Sequence, residues 1–413
     1  MSTSTSTPDF EALLQKAVDD GAVAGVVAIA QNKAGTLNYS TAIGHASLGT
    51  NPPTPMQLNT IFTLASQTKL LTSLCVLQLI DRGLITLETD VTLHLPALAA
   101  KQILTGFSSD GLTPLFTPRT KPILLRHLLT HSSGLGYSFL HPDLLKWHTI
   151  TKPGAAPPPA GGPFDTVEAR FDMPLLFEPG TNWQYGSSID WAGKLVEVLT
   201  GLDLETYLTT NVLNPVGVTP GTISFHLERH PSLLARQAGM NARDPSTGRL
   251  VHAAGFAWPT GLPTDRACFG GEGAFADLSE YMKILVSLLN DDEKILSKQT
   301  AAALFSPQLK DKDPAAKAAL VKNLEHPEWI VGYVPTDTNG EYDWGLGGLL
   351  VDGDSHVYRK SGFLIWGGVF NTTWFIDRKA GVCGTFGTQT LTPADPLVNP
   401  LMKAFEEAVY AKL

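Results

Sequence analysis

The sequence contains few cysteines and no excess of positive charge. Its three cysteines, Cys75, Cys268 and Cys383, are odd in number and widely spaced, which matches neither a disulfide framework nor a zinc site. Lys and Arg total 30 against 39 Asp and Glu, and the scattered basic residues lack the footprint of a nucleic-acid or anionic-membrane binder. We therefore expect reduced core cysteines, no metal or other cofactor, and a small-molecule or protein-carried substrate.

Long apolar runs and internal repeats are also missing. No apolar run reaches the roughly 20 residues that span a membrane, and residues 1–10 lack the basic and apolar regions of a secretion signal. The lack of a repeat argues against solenoids and propellers. What is present, 43% hydrophobic and 17% charged residues in a chain of 413, is typical of a globular protein with a large core. We expect a cytoplasmic address.

Strand patterns occur at both ends of the chain, and helical patterns dominate the middle. A helix and a hairpin open the sequence, and glycine-punctuated strands return at 345–352, 361–370, 373–376 and 382–387. This order predicts an α+β fold in which helices flank an antiparallel sheet completed by both ends of the chain. The predicted domains are a discontinuous one, residues 1–85 and 223–413, and a mostly helical insert, residues 86–222.

The pair Ser66-x-x-Lys69 opens the most apolar helical segment of the chain, residues 66–82. A spacing of three residues puts the hydroxyl and the amine on one face of the same turn. Lysine can activate a hydroxyl where burial and positive potential favour its neutral form, and a helix N-terminus supplies such potential. The pattern is common by chance, so its place at the start of a buried helix carries the argument.

Two further segments could complete a site. Tyr185 follows a Pro/Gly-defined loop, and a phenol beside a lysine can relay protons, although a lone tyrosine is more often a packing residue. Trp366-Gly367-Gly368 lies in a predicted strand, where paired glycines allow close approach of a substrate or another backbone. An ordinary glycine-rich hairpin is the alternative interpretation of that strand.

His127 and His131 have the spacing of a metal pair on a helix. No acidic residue accompanies them as in the zinc-protease pattern, so a helix ending at Ser132-Ser133-Gly134 with hydrogen-bonded histidines is the preferred interpretation.

Four motifs, in this order and spacing, resemble the class C esterase branch of the serine β-lactamase and penicillin-binding-protein superfamily: Ser66-x-x-Lys69, His127 to Gly134, Tyr185-Gly186-Ser187 and Trp366-Gly367-Gly368. Within that branch the chain is most similar to the fungal lovastatin-type acyltransferases and statin esterases. The segments that carry this closer likeness begin at Leu64, Tyr137, Asp190 and Trp374.

The resemblance implies a β-lactamase/transpeptidase-like fold and assigns the chemistry to named residues. Ser66 would be the nucleophile, Lys69 its activating partner and Tyr185 the acid/base, with the amides of Ser66 and Val369 as the oxyanion hole. The expected substrate-binding residues are Tyr137, Trp329, Trp366, Gly367 and Gly368.

Two departures from the β-lactamases bear on the substrate. Tyr185-Gly186-Ser187 stands where they have Tyr-x-Asn, and Trp366-Gly367-Gly368 stands where they have Lys-Thr-Gly, whose cation holds a substrate carboxylate. Lys360-Ser361-Gly362 is an alternative match to Lys-Thr-Gly, although it lies farther from the strand of Trp374 and Phe375 than a hairpin favours. Both departures argue against a penicillin substrate.

The sequence thus favours a serine esterase or acyltransferase with a Ser-Lys-Tyr triad, acting on a hydrophobic natural-product ester such as a statin-like polyketide. The acyl donor would be an ester or thioester, free or on an acyl carrier protein. The alternatives are a β-lactamase or D-Ala-D-Ala carboxypeptidase on the same nucleophile, a non-catalytic binding protein of the same fold, and, last, a metalloenzyme that uses His127 and His131.

Overall fold

The computed structural model describes residues 8–153, 166–256, 267–326, 332 and 341–413. Its strands within these ranges are β1 (Gly25–Asn32), β2 (Asn38–Ser47), β3 (Thr54–Pro55), β4 (Ile61–Thr63), β5 (Ile103–Phe107), β6 (Pro114–Thr117), β7 (Ile223–Ser224), β8 (Asn241–Arg243), β9 (Leu250–His252), β10 (Phe275–Asp277), β11 (Tyr342–Trp344), β12 (Leu349–Val351), β13 (Leu364–Gly368), β14 (Thr372–Asp377) and β15 (Val382–Gly387).

The α-helices within the same ranges are α1 (Pro8–Asp19), α2 (Thr68–Asp81), α3 (Pro96–Ala99), α4 (Leu125–Leu129), α5 (Pro142–Thr151), α6 (Val167–Arg170), α7 (Ser188–Thr200), α8 (Leu204–Leu208), α9 (Pro231–Leu234), α10 (Leu278–Asn290), α11 (Lys298–Leu304), α12 (Pro314–Leu324) and α13 (Asn399–Tyr410). None of these described helices has both the length and the apolar character needed to cross a bilayer.

One antiparallel sheet joins the two ends of the chain. Its eight described strands lie in the order β11-β12-β13-β14-β15-β1-β2-β3, and β1 pairs with β15 through partners such as Val27 and Gly387. Helix α10 packs on β1, β14 and β15, while α1 packs on β2 and α13. The predicted α+β fold with a sheet completed from both ends is therefore confirmed. The division into two domains stays a prediction.

The helix that carries the nucleophile begins differently from its prediction. The pattern placed Ser66 in the first turn of an α-helix, but residues Ala65–Gln67 form a 3₁₀ turn and α2 begins at Thr68. Helix α2 is buried on nearly every side and ends before Gly83, whose φ of 68° is the left-handed conformation expected of a glycine that terminates a helix. It packs against α7 and α8 in the middle of the molecule.

The middle of the chain contains strands that the helical pattern did not indicate. Strands β5 and β6 form a hairpin between α3 and α4, with a register irregularity near Gly106. Near the C-terminus the observed strands are shorter than predicted, because the expected ranges 345–352 and 361–370 included turns. The hairpin of β13 and β14 was predicted correctly, and its connection contains Asn371 in the left-handed conformation.

Candidate active site

Ser66 and Lys69 meet at the start of α2. Lys69 Nζ donates a hydrogen bond of 3.2 Å to Ser66 Oγ, as the three-residue spacing predicts. Ala65, directly before the serine, has a φ of 45°, a left-handed conformation that is rare for a residue with a side chain. Such local strain clusters at functional sites, where the surrounding structure holds it in place.

The Lys69 amine is buried and held by two further oxygens. It donates to the carbonyl of Gly271 at 2.7 Å and to Tyr137 Oη at 3.4 Å, and the lysine is 2% exposed. The three acceptors fix the amine beside the serine hydroxyl. Tyr137, which the resemblance assigned to substrate binding, thus hydrogen-bonds to the lysine amine.

Asp190, at the start of α7, contacts both Tyr137 and Gly271, two of the residues that bind the lysine amine. Its Oδ2 accepts from the Tyr137 hydroxyl at 3.1 Å and its Oδ1 accepts from the amide of Gly271 at 2.8 Å. Burial and the neighbouring Glu272 carboxylate raise the pKa of Asp190 to about 7. Burial and Asp190 raise the pKa of Tyr137 well above its usual value, so that phenol keeps its proton.

Tyr185 also lies beside the lysine, with its ring 6.0 Å from that of Tyr137, centroid to centroid. Its ring centroid is 4.6 Å from Lys69 Nζ, and its phenolic oxygen accepts a 3.0 Å hydrogen bond from the indole nitrogen of Trp366. Trp366 belongs to β13, so the motif of Trp366 contacts the motif of Tyr185 directly. The structure thus brings the side chains of Lys69, Tyr185 and Trp366 together from three distant parts of the chain.

The paired glycines of β13 permit a close backbone approach. A Cβ atom placed on Gly368 would lie 2.0 Å from the carbonyl oxygen of Leu64, two residues before the serine. No side chain fits in that space, which confirms the predicted reason for glycine at the end of this strand. Val369, the next residue, lines the same cavity as Ser66.

A cavity of about 430 Å³ opens over Ser66. Its lining is mostly aliphatic and aromatic: Ala65, Ser66, Tyr137, Phe139, Leu140, Tyr185, Phe256, Glu272, Trp366, Gly367, Val369, Phe370, Leu391 and Pro393. Among the described residues, the lining therefore includes Tyr137, Trp366 and Gly367 of the expected substrate-binding set. Gly368 lies behind it against Leu64, and Trp329 is outside the described residues.

Glu272 is the charged residue of the described lining, and it is paired beneath the surface. Arg170 Nη2 lies 2.5 Å and Arg170 Nε 2.7 Å from Glu272 Oε1, and both side chains are buried. The guanidinium also lies 4.8 Å from the ring centroid of Phe269. This pair fixes the segment that carries Gly271, whose carbonyl accepts from Lys69.

The two histidines of the metal-like pattern have separate surroundings. His127 Nδ1 accepts from the amide of Leu124 at 3.1 Å, while His131 packs its ring 4.6 Å from that of Tyr185. His131 Nδ1 accepts from the amide of Gly186 at 3.4 Å. Burial lowers the pKa of both imidazoles, so both are neutral at pH 7. Their packing supports the helix-end interpretation that the sequence favoured.

Sequence reasoning missed several residues that surround the amine: Arg170, Asp190, Gly271 and Glu272. Asp190 gave one weak signal, since it is an acidic residue among apolar ones at the start of a predicted helix. Gly271 and Glu272 belong to no motif that the spacing could reveal. Their positions depend on the contact between the segment after Phe269 and α2, which only the folded chain shows.

Comparison with known proteins gives a consistent family. The family model described as "Beta-lactamase" matches residues 10–406. Monacolin J acid methylbutanoyltransferase of Aspergillus terreus is 37% identical, covering 98% of this chain and 95% of the relative. Lovastatin esterase of Penicillium rubens is 36% identical over 98% of each chain. The structure of simvastatin synthase from Aspergillus terreus, LovD6 mutant, is 36% identical with a TM-score of 0.87, covering 98% of this chain and 94% of that one.

Proposed function

The chain belongs to the beta-lactamase family, and on that premise we propose that it moves or hydrolyses an acyl group through a covalent ester on Ser66. The observation that carries the proposal is the 3.2 Å hydrogen bond between Lys69 Nζ and Ser66 Oγ beside an apolar cavity. A hydroxyl becomes a useful nucleophile when an adjacent base can take its proton. Lys69 is that base in this proposal: for the transfer the hydrogen bond is reversed, so that the Ser66 hydroxyl donates to the lone pair of the amine.

The proposed first half-reaction forms the ester. Ser66 Oγ bonds to the acyl carbon as its proton passes to Lys69, and the amides of Ser66 and Val369 stabilise the oxyanion. The bond to the leaving alcohol or thiol then breaks, Tyr185 gives that group a proton, and Lys69 returns a proton to Tyr185. In the second half-reaction water or an alcohol attacks, and the same protons move in reverse until Ser66 regains its own.

Tyr185 is the proposed acid/base rather than Tyr137. The Tyr137 hydroxyl donates a hydrogen bond to Asp190, and the raised pKa of Tyr137 keeps the proton on the phenol. Tyr185 lines the cavity beside Ser66, and its phenolic oxygen is oriented by the Trp366 indole. We assign Tyr137 to positioning Lys69.

The proposed substrate is a hydrophobic natural-product ester with a statin-like polyketide core. The described cavity wall, rich in residues such as Phe139, Leu140 and Phe370, matches a large apolar acyl or alcohol part. The relatives support this class by name, since one transfers a methylbutanoyl group to monacolin J acid and another is a lovastatin esterase. The proposed acyl donor is an ester or a thioester, free or on an acyl carrier protein.

A penicillin substrate fits the site less well. A β-lactam carries its carboxylate close to the carbonyl that is attacked, so it needs a cation on the wall of the substrate cavity, apart from the base that activates the nucleophile. The described cavity lining has no Lys or Arg, and its charged member is the carboxylate of Glu272. Strand β13 presents the Trp366 indole instead, and Lys360 is not among the described lining residues.

Acylation of the chain tests the proposed nucleophile. Incubation with p-nitrophenyl butyrate should add one butyryl group, visible by intact-mass spectrometry and located on Ser66 by peptide mapping. Ser66→Ala should abolish both the adduct and turnover. Ser73→Ala is the matched control, because Ser73 is a buried serine on the same helix. Full turnover by Ser66→Ala, or loss of turnover in Ser73→Ala alone, would reject the assignment.

A second experiment separates transfer from hydrolysis and the two substrate classes. The chain is incubated with a methylbutanoyl thioester, with and without monacolin J acid, and separately with lovastatin and with nitrocefin. Mass spectrometry of the products should show acyl transfer or ester cleavage in the statin reactions at rates well above nitrocefin opening. Nitrocefin turnover that matched the ester rate would favour the β-lactamase alternative.

A further inference from the structure

Three side chains from separate segments meet at Cys268, just before the segment that accepts the hydrogen bond of Lys69. Glu205 lies in α8, His226 follows β7, and Cys268 precedes Gly271 by three residues. Cys268 Sγ is 3.5 Å from His226 Nε2, and His226 Nε2 is 3.8 Å from Glu205 Oε2. These sulfur, nitrogen and oxygen atoms all lie within 4.8 Å of one another.

Glu228 orients the imidazole of His226. His226 Nδ1 is 3.2 Å from Glu228 Oε1, so the ring presents Nε2 to Cys268 and Glu205. A carboxylate on the remote nitrogen is the usual support of a metal-binding histidine. It fixes the ring orientation and makes the free nitrogen a better ligand.

The carboxylate of Glu205 is held in the same way. Its Oε1 accepts from Ser224 Oγ at 2.7 Å and its Oε2 accepts from the amide of Phe225 at 3.1 Å. Ligating carboxylates commonly carry such outer hydrogen bonds. His226 and Cys268 are 3% and 4% exposed, while the Glu205 side chain is 17% exposed, so the group has a buried end and an end near solvent.

The donor set selects the ion. A thiolate, an imidazole and a carboxylate together suit Zn²⁺, which favours four ligands at tetrahedral angles. Zinc bonds of about 2.0 to 2.3 Å put neighbouring ligand atoms about 3.3 to 3.6 Å apart. The observed separations, 3.5 and 3.8 Å from His226 Nε2 and at most 4.8 Å between the sulfur and the carboxylate oxygen, require the ligands to close around the ion as it binds.

We propose that Glu205, His226 and Cys268 bind one zinc ion, with water as the fourth ligand. The Cys268 thiol proton is released to solvent as the sulfur–zinc bond forms, because the thiolate is the ligand. The spacing of the cysteines in the sequence gave no sign of this group, since its members come from three distant segments.

The ion would anchor the backbone that positions the catalytic amine. From Cys268 the chain runs to Gly270, whose carbonyl accepts from Thr72 Oγ1 at 2.7 Å, and to Gly271, whose carbonyl accepts from Lys69 Nζ at 2.7 Å. Fixing Cys268 therefore restrains a segment packed along the first turns of α2. The role is structural, so it stands whether or not Ser66 carries the proposed ester.

Metal content and a cobalt spectrum test the proposal. The full chain, produced without a polyhistidine tag and equilibrated with zinc, should retain about one zinc per chain after gel filtration. Cys268→Ala should lower that content at least tenfold, while Cys383→Ala, which removes another buried free cysteine, should keep it. Removing zinc with a chelator should lower the thermal midpoint of the unaltered chain by several degrees, and added zinc should restore it.

Cobalt decides the question without a variant, in case Cys268→Ala fails to fold. Replacement of zinc by Co²⁺ in the unaltered chain should give the near-ultraviolet absorption of a thiolate–cobalt bond. A cobalt spectrum without that absorption, or a zinc content below about one tenth per chain, would overturn the proposal and leave a hydrogen-bonded His226 between Glu205 and Glu228. Equal zinc in Cys268→Ala and the unaltered chain would overturn it as well.

Discussion

The indole nitrogen of Trp366 donates a 3.0 Å hydrogen bond to the phenolic oxygen of Tyr185. Tyr185 is 7% exposed and Trp366 6% exposed, so water does not replace this contact readily. Because the phenolic oxygen accepts this hydrogen bond on one side, its own hydroxyl proton is directed away from Trp366. Trp366 therefore acts on the chemistry through Tyr185, as a positioning residue.

Trp366→Phe should slow catalysis by removing that hydrogen bond while keeping an aromatic ring on β13. We expect kcat for p-nitrophenyl butyrate to fall about tenfold with a smaller change in KM, since a lost hydrogen bond to a reacting group costs about 1 to 2 kcal/mol. Trp374→Phe is the control, because its indole nitrogen has no hydrogen-bond partner within the described chain. A Trp366→Phe variant with unchanged kcat would contradict the positioning role.

Gly368→Ala should displace the turn that carries Ser66 and lower the stability of the chain. The added methyl would clash with the Leu64 carbonyl, so β13 must move away from the turn that holds Ser66. Overpacking of this kind costs about 1 to 3 kcal/mol of the free energy of unfolding. Urea denaturation and the rate of Ser66 acylation measure the two effects. In the control, Gly347→Ala, the new methyl meets only the ends of the Leu70 and Leu304 side chains, which can shift.

Local patterns predicted those parts of the site that depend on a short stretch of chain. The pairing of Ser66 with Lys69 follows from one helical turn, and the β13–β14 hairpin follows from two strands and a short connection. The 3₁₀ turn before α2 was not predictable, because the left-handed Ala65 is maintained by its surroundings rather than by its own preference.

Contacts between distant segments were beyond reach without the resemblance to a family. Nothing in the spacing of Tyr137 or Asp190 indicates that the phenol hydrogen-bonds to both Lys69 and a carboxylate. A tyrosine that packs among apolar residues and one that hydrogen-bonds to ionisable side chains look identical in sequence. The same limit concealed the approach of Cys268 to His226, because residue spacing reveals metal ligands only when they are close in the chain.

Asp190→Asn should change how stability depends on pH. Because the folded pKa of Asp190 is raised from 3.8 to about 7, the native state binds a proton that the unfolded state lacks between pH 4 and 7. This group's contribution is thus greatest below pH 4 and is lost as the pH rises toward 7. The asparagine cannot titrate, yet its amide can keep contacts to Gly271 and Tyr137.

Urea denaturation from pH 4 to 8 checks this sign. Relative to the unaltered chain, Asp190→Asn should gain about 2 to 4 kcal/mol of unfolding free energy across that range. Its activity should fall, because the side-chain amide then offers Tyr137 a donor group where the carboxylate accepted, and this reorients the phenol beside Lys69. Asp311→Asn is the control, since it removes the charge of an exposed carboxylate. A difference between the Asp190 variant and the unaltered chain that stayed constant with pH would rule out titration of this carboxyl.

The buried pair of Arg359 and Glu406 allows stability to be changed away from the site. Arg359 Nε and Nη2 donate to the two carboxylate oxygens of Glu406 at 2.9 Å each, and this contact ties α13 to the segment before β13. Glu406→Gln should cost about 3 to 5 kcal/mol, because it removes the negative charge that Glu406 places against a buried guanidinium. Glu407→Gln, at an exposed carboxylate on the same helix, should cost less than about 1 kcal/mol.

Replacing both partners distinguishes a lost ion pair from lost packing. The double variant Arg359→Met with Glu406→Leu should recover most of the stability lost in Glu406→Gln, since apolar side chains of similar size need no counter-charge. Arg359 also lies 4.5 Å over the ring of Phe363, a contact that methionine can replace in part. Butyryl labelling of Ser66 should match the unaltered chain in every variant that is folded at the assay temperature. If the double variant were less stable than Glu406→Gln, the ion pair would be a net source of stability here, and its desolvation cost would have to be smaller than its burial implies.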